Sequence, residues 1–108
     1  MELSAEDRKL LTLARATRGR TGAAEGAAVR DTDGRTYAAA SVDLPSLQLS
    51  AIQVCVAMAI AGGSTGLDAV VLMSEATELA APDEAVLRDF AGEGVVVHHA
   101  DLQGRPPG

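Results

Sequence analysis

The segment Ser50–Ala61 reads SAIQVCVAMAIA and decides how the rest of the chain is arranged. Ser50 suits the start of a helix because its hydroxyl can accept a hydrogen bond from a free N–H group. Gly62 and Gly63 are typical of a helix end. The residues between these signals are apolar nearly all round, which indicates a helix buried between a sheet and a neighbouring element. The sequence therefore predicts a central, buried helix.

The N-terminal segment predicts a second helix. Ser4 followed by Asp7 resembles a capping box, in which side chains satisfy the free N–H groups at a helix start. Apolar residues then continue along one side to about Arg18. Two glycines in Gly19–Gly22 predict a loop after that point.

A hairpin is predicted between these two helices. The extended runs Gly26–Arg30 and Arg35–Val42 are separated by a turn that ends in Asp33-Gly34, and Gly tolerates the positive φ that such a turn needs. Leu44–Leu49 is predicted to be irregular because Pro45 has no N–H group for a strand ladder.

Downstream of the central helix the pattern predicts strand, helix and strand. Leu67–Met73 is a continuous apolar run, which is typical of a strand inside a mostly parallel sheet. Pro82 suits the first turn of a helix over Asp83–Phe90, and Val95–His99 forms the last strand. An antiparallel hairpin followed by parallel strands gives a mixed sheet covered by helices, an α/β domain with three α/β/α layers.

Length and composition fit one small acidic domain. We expect residues 1–104 to form a single domain and residues 105–108 a flexible tail, because 108 residues are enough for one core. The net charge of −6 repels phosphate groups, which argues against nucleic acid as a partner. The longest apolar run is too short for a bilayer, which needs about 20 residues. A single cysteine and the lack of an apolar leader predict a cytoplasmic protein.

Several motifs together resemble the bacterial cytidine deaminases. In that family a Val-Gly-Ala-Ala run, an Asp-Gly turn and an Asn-X-Glu ending form the hairpin, and a zinc-binding helix follows. The similar segments here are Gly26–Val29, Asp33–Arg35, Tyr37, Val42-Asp43, Ala57–Gly62 and the stretch Gly94–Gly104, which reads GVVVHHADLQG. The resemblance extends from about Ala14 to Gly104 and implies the cytidine deaminase-like fold.

The resemblance also implies a zinc site that this chain lacks. In the family a Cys or His binds zinc, a Glu two residues later moves protons, and a Pro-Cys-X-X-Cys turn completes the site. Alignment through Ala57 places Ile52 at the first ligand and Val54 at the proton-transfer position. Leu79–Glu84, which opens the next helix, contains no cysteine. We therefore assign no catalytic, cofactor-binding or metal-binding residue, although the family would be expected to carry zinc.

Some polar residues remain as candidates. The family's ribose-binding Asn and Glu fall on Ser41 and Asp43, which leaves a possible nucleoside site, while the family's aromatic ring falls on Ala23. Cys55 is interpreted as a small buried apolar residue. His98 and His99 are adjacent on a strand and should point to opposite faces, so they are poorly placed to chelate one ion.

A cluster of four acidic residues surrounds the end of the third long strand and the start of the third helix. A paired-carboxylate site is one interpretation, because ligands often bind beyond the carboxyl ends of strands. The favoured interpretation is a solvated loop whose charges complement a helix start. Its members are Glu75, Glu78, Asp83 and Glu84.

Two functions follow from these observations. The leading hypothesis is a catalytically inactive, cytidine deaminase-like protein that acts as a binding or assembly module, with the small-residue helix Val54–Ala61 packing against another subunit of a dimer or tetramer. The alternative is a cytidine deaminase or related hydrolase with a relocated metal site built from Asp43, Glu75, Glu78 and the two histidines. A nucleoside sensor that uses Ser41 and Asp43 lies between the two.

Overall fold

The computed structural model describes residues 3–105. The helices are α1 (Ala5–Thr21), α2 (Ala51–Ala61) and α3 (Ala81–Ala91). The strands are β1 (Gly26–Asp31), β2 (Thr36–Ala40), β3 (Val42–Leu44), β4 (Leu47–Leu49), β5 (Leu67–Met73) and β6 (Val96–Ala100). Each predicted helix and long strand is therefore present, with its ends moved by a few residues.

The main sheet is mixed, as predicted. Its strand order is β2-β1-β5-β6, and β1 is antiparallel to both of its neighbours. Only β5 and β6 pair in parallel, and the helix α3 connects them. The third long strand is therefore not inside a mostly parallel sheet, because β1 joins its other side in the antiparallel direction.

Two apolar clusters cover the two faces of this sheet, which gives the predicted α/β/α layers. On one face α1 contributes Leu10, Leu11 and Ala14, which pack with Val71 and Met73 of β5. On the other face α2 and α3 pack over the apolar side chains of alternate strand positions. The second cluster includes Ala27, Val29, Ile52, Cys55, Val56, Ala59, Val70, Leu72 and Leu87.

Gly26 allows α1 to lie unusually close to β1. A Cβ atom at this position would lie 2.5 Å from the carbonyl oxygen of Ala14 and 2.7 Å from the Cβ of Arg18. Both distances are below van der Waals contact, and one of the two atoms belongs to the helix backbone. The first glycine of the family-like hairpin motif is therefore required by packing between α1 and the sheet.

The loop predicted at Gly19–Gly22 is wrong, because α1 continues to Thr21. A single glycine such as Gly19 costs a helix about 1 kcal/mol, which the packing of α1 against the sheet can offset. The helix instead ends at Gly22, whose φ of 67° is left-handed and whose N–H donates to the Arg18 carbonyl.

The prediction that Leu44–Leu49 is irregular is also wrong. This segment forms part of a small hairpin in which β3 and β4 pair antiparallel, with Val42 opposite Leu49. Pro45 lies in the turn between the two strands, where a missing N–H group costs no ladder hydrogen bond. A two-stranded hairpin this short gives too weak a sequence pattern to predict.

Within residues 3–105, none of the helices combines the length and apolar character needed to cross a membrane. The expected tail is only partly described. Arg105 follows a turn, where its side chain bonds to Asp101 at 2.7 Å, and residues 106–108 lie outside the described part of the chain.

Candidate functional site

The start of α2 is held by hydrogen bonds to the backbone N–H groups of Ser50, Ala51 and Gln53. The Ser50 hydroxyl accepts from the Gln53 N–H at 3.1 Å, and the Gln53 side chain accepts from the Ser50 N–H at 2.9 Å. The Glu25 carboxylate, which directly precedes β1, accepts from the Ala51 N–H at 3.2 Å. The predicted Ser50 cap is thus present as a capping box with an additional acidic partner.

The start of α3 meets the start of α2. Ala80 precedes α3 and provides no side-chain cap, whereas Asp83 lies in the first turn and is only 2% exposed. The Ser50 hydroxyl donates to the Asp83 carboxylate at 2.5 Å. The favoured interpretation, in which the acidic residues lie in a solvated loop, is therefore wrong for Asp83. This residue is buried because it bridges two helices.

Ile52 and Val54 lie beside this junction on α2. The resemblance identifies this helix with the zinc-binding helix of the cytidine deaminases. Ile52 is fully buried in the apolar cluster under α2, and Val54 is half-buried against the same cluster. Aliphatic side chains at both positions leave no electron-pair donor there. The geometry at the start of α2 thus supports packing and offers no acid–base chemistry from these two residues.

Cys55 is buried on the sheet side of α2, as the sequence predicts. Its side chain is fully enclosed, and its Sγ lies 3.8 Å from the Tyr37 carbonyl oxygen. Burial raises the pKa of the thiol to about 12. The thiol is therefore protonated at neutral pH and is not suited to nucleophilic attack.

The two candidate nucleoside-binding residues are engaged in local contacts. The Ser41 hydroxyl accepts from the Glu25 N–H at 3.1 Å, which joins the end of the hairpin to the segment before β1. Asp43 is exposed in β3 and accepts from the Gln48 side chain at 3.3 Å across the small hairpin. These contacts fix backbone positions and do not by themselves define a ligand site.

The two histidines point to opposite faces of the sheet, as predicted. His98 faces α1, where its Nε2 lies 2.9 Å from Asp7, and the other oxygen of Asp7 accepts from Arg30 at 3.1 Å. His99 faces the other way and lies 2.6 Å from the Ser74 hydroxyl. Each imidazole thus has a separate partner on a separate face.

The remaining acidic candidates do not come together. Glu75 lines a cavity of about 280 Å³ with Glu25 and Ser74, whereas Glu84 lines a different cavity of about 270 Å³ between α3 and β6. Glu78 is exposed. Across residues 3–105, no three His, Cys, Asp or Glu side chains are placed to share a metal ion. The residues near the helix starts consequently do not fit the zinc site that the resemblance implies.

Sequence reasoning misses the groups that join the elements of this region. Glu25 and Ala51 are 26 residues apart, and Ser50 and Asp83 are 33 residues apart. A single sequence carries no signal for contacts at such separations. The capping box predicted at α1 is incomplete, because only the Ser4 hydroxyl acts there, by accepting from the Asp7 N–H at 3.1 Å.

Solved structures of cytidine deaminases are similar to this fold. The enzyme from Burkholderia pseudomallei matches with a TM-score of 0.79 and 19% identity, over 97% of this chain and 91% of that one. The Mycobacterium leprae enzyme matches with a TM-score of 0.72 and 19% identity, over 94% and 92%. The Mycobacterium tuberculosis enzyme matches with a TM-score of 0.72 and 22% identity, over 95% and 89%. At these identities the likeness establishes the fold.

Sequence comparison adds the family. A search of curated proteins finds no significant match. A family model described as cytidine deaminase-like matches residues 3–104, nearly the whole chain. The chain belongs to the cytidine deaminase-like family.

Proposed function

We propose that this chain is a non-catalytic member of the family and serves as a binding or assembly module. One observation carries the proposal. The positions that align with the first zinc ligand and the proton-transfer carboxylate are Ile52 and Val54, and both pack into the apolar cluster under α2. A hydrolytic zinc centre needs N, S or O donors and a group that moves protons, and these side chains offer neither.

Zinc content and deaminase activity test this proposal directly. The purified protein is expected to contain far less than one zinc per chain by elemental analysis, and to release no ammonia from cytidine. A zinc-binding cytidine deaminase handled in the same way serves as the positive control. Stoichiometric zinc together with ammonia release would overturn the proposal in favour of a relocated metal site.

The alternative enzyme has less support from the arrangement of the side chains. A relocated site needs Asp43, Glu75, Glu78 and the histidines to converge. His98 is instead paired with Asp7 on the α1 side, and His99 with Ser74 on the opposite side. A nucleoside-binding role is tested separately by calorimetric titration with cytidine and uridine, for which no heat at millimolar ligand is the expected result.

The outward side of α2 is the surface we assign to assembly. Ala57, Met58, Ile60 and Ala61 are all exposed there, with Met58 at 40% and Ile60 at 54%. The whole helix contains no charged residue, whereas an exposed helix side is ordinarily polar. An uncharged, apolar helix surface of this kind is typical of a protein contact.

A second copy of the chain suits this surface. Ala57 and Ala61 are four residues apart, so they lie on one line along the helix and leave a shallow strip between the longer Met58 and Ile60. Two such strips related by a two-fold axis can approach closely, because each side meets small residues of the other. The lack of charge also means that no ionic group is desolvated when the surfaces meet.

Two matched substitutions test the assembly surface. Ala57→Glu places a charge within the apolar strip, and Ala16→Glu makes the same change at an exposed position of α1. Light scattering at micromolar concentrations is expected to show an oligomer for the wild type and Ala16→Glu, and a smaller species for Ala57→Glu. A monomeric wild type, or an unchanged mass for Ala57→Glu, would contradict assembly through α2.

A further inference from the structure

We infer that the hydrogen bond between Ser50 and Asp83 joins the starts of α2 and α3, so that this chain folds without a metal ion between them. The two helices follow different strands, and α2 and α3 pack against each other. Their first turns meet where the Ser50 hydroxyl donates to the Asp83 carboxylate at 2.5 Å. This contact is the direct polar link that the described residues provide between the two helix starts.

The surroundings make this bond stronger than a surface contact. Asp83 is only 2% exposed, so little water competes for its carboxylate. A hydrogen bond to a charged acceptor is roughly twice as strong as one between neutral groups. Burial also makes the acid costly when its partner is lost, because an unsatisfied buried charge keeps its full desolvation penalty. The pair therefore couples the position of α3 to that of α2.

The electrostatics of the two helix ends favour an acid at this point. Asp83 lies in the first turn of α3, and its bond to the cap residue Ser50 places it beside the first turn of α2. Both helix starts carry partial positive charge from their free N–H groups, which a carboxylate stabilises. Glu25 adds a second carboxylate at the α2 start by accepting from the Ala51 N–H.

Ser50 links the local cap to the long-range contact. Its hydroxyl oxygen accepts from the Gln53 N–H while its hydrogen is donated to Asp83. The same hydroxyl thus caps one helix and holds the next helix in place. Two hydrogen bonds at one hydroxyl make the cap of α2 and the docking of α3 a single cooperative unit.

A double-mutant cycle measures this coupling. Unfolding by urea is compared for the wild type, Ser50→Ala, Asp83→Ala and the double variant, each with and without a chelator and with added zinc sulfate. We expect each single change to lower the folding equilibrium constant by about ten-fold or more, and the double variant to lose about ten-fold less than the product of the two. Chelator and zinc are expected to leave the wild-type midpoint unchanged.

Two further variants serve as controls. Ser4→Ala removes the cap hydroxyl of α1 and reports the cost of a cap alone, and Glu84→Ala removes an exposed acid from the same turn as Asp83. Both should lose less stability than Asp83→Ala. If the double variant is too unstable, a cycle with Asp83→Asn replaces it and is read against the same criterion.

Coupling below about two-fold would overturn the inference, and so would a wild-type midpoint that falls when chelator is added. The inference does not depend on the assembly role. A zinc-free protein without coupling between Ser50 and Asp83 would overturn the inference but would be consistent with the proposed non-catalytic function. The expected coupling between Ser50 and Asp83 in a protein that deaminates cytidine would overturn the proposed function but would be consistent with the inference.

Discussion

The two faces of the sheet are covered by helices in different ways. On the α1 face, Asp7 forms an ion pair with Arg30 and a hydrogen bond with His98, and these two partners come from strands separated by β5. On the α2 face the helix itself has no charged residue, and the link to α3 is made by Ser50 and Asp83. Each face therefore uses an aspartate in the first turn of a helix, but one is paired with an arginine and a histidine and the other with a hydroxyl.

This difference shows where the polar groups of the chain are used. In the described residues, Asp7 and Asp83 each hold a helix against a neighbouring element. On the α2 face, Ile52 is fully buried and Val54 packs half-buried against the same apolar cluster. The family fold is thus present with aliphatic side chains at these two positions, and a fold by itself does not determine a reaction.

Truncation of Ile52 should have the largest effect on the free energy of unfolding, because it removes side-chain volume from a fully buried position under α2. We expect Ile52→Ala to lower the free energy of unfolding by about 2–5 kcal/mol, since it leaves a cavity under α2. Val54→Ala is the matched control at a half-buried position and should cost roughly 1 kcal/mol. Urea denaturation measures both. Equal losses would mean that the two positions are not packed as described.

Gly26 offers the corresponding break on the α1 face. Gly26→Ala should cost about 1–3 kcal/mol, because the new methyl group meets the backbone of α1. Gly19→Ala makes the same change inside α1, where nothing lies within 4 Å of the added atom, and should gain up to about 1 kcal/mol. The opposite signs are read from thermal midpoints. A stabilised Gly26→Ala would show that α1 does not approach β1 so closely.

The pH dependence of stability should report on the contacts that Asp7 makes on the α1 face of the sheet. Burial by itself raises the pKa of Asp7, but hydrogen bonds from Arg30 and His98 and their attraction outweigh it, so that the pKa is lowered. Asp7 then contributes stability that is complete above its unfolded pKa of about 3.9 and is lost as the pH falls through the lower folded value.

Asp7→Asn is accordingly expected to be less stable than the wild type at pH 6 by about 1 kcal/mol, with the gap closing below about pH 4. Urea unfolding at several pH values gives the comparison. Asp31 acts in the same direction, because its hydrogen bond from Ser64 lowers its pKa, so the variant should remain acid-sensitive in part. A gap that stays constant from about pH 6 to about pH 3 would contradict the role of Asp7.

The smallest effect is expected at Cys55. The reactivity of its thiol measures whether α2 stays packed on the sheet. Burial raises the pKa of this thiol to about 12, so a thiol reagent should not modify the folded protein at about pH 8. Modification should appear only in denaturant, along the same curve as unfolding. Rapid labelling without denaturant would show that α2 opens independently of the rest of the sheet.

Much of the fold follows from local sequence patterns. The Ser50 cap, the Asp-Gly turn and the apolar run of β5 each carry a signal within a few residues, and all three elements are present. The errors lie where local signals are weak or are outweighed. Gly19 reads as a loop residue but stays helical because α1 is held by the sheet, and β3 and β4 are too short to show alternation.

The site is less predictable than the fold. The placement of Ile52 and Val54 on α2 can be read from the sequence, as can the opposite directions of the two histidines. The burial of Asp83 cannot, because acids at helix starts are ordinarily solvated and its partner is remote in sequence. Contacts of this kind depend on how α2 and α3 cross, which no local pattern encodes.

The pairing of Asp7 with His98 also sets an order on biosynthesis. These residues are 91 positions apart, and β6 is the last strand among residues 3–105. A ribosome must therefore add 91 residues after Asp7 before the first turn of α1 can find this partner. The α1 layer can begin to form on β1 and β5, but its contact with His98 is made only after β6 has been synthesised.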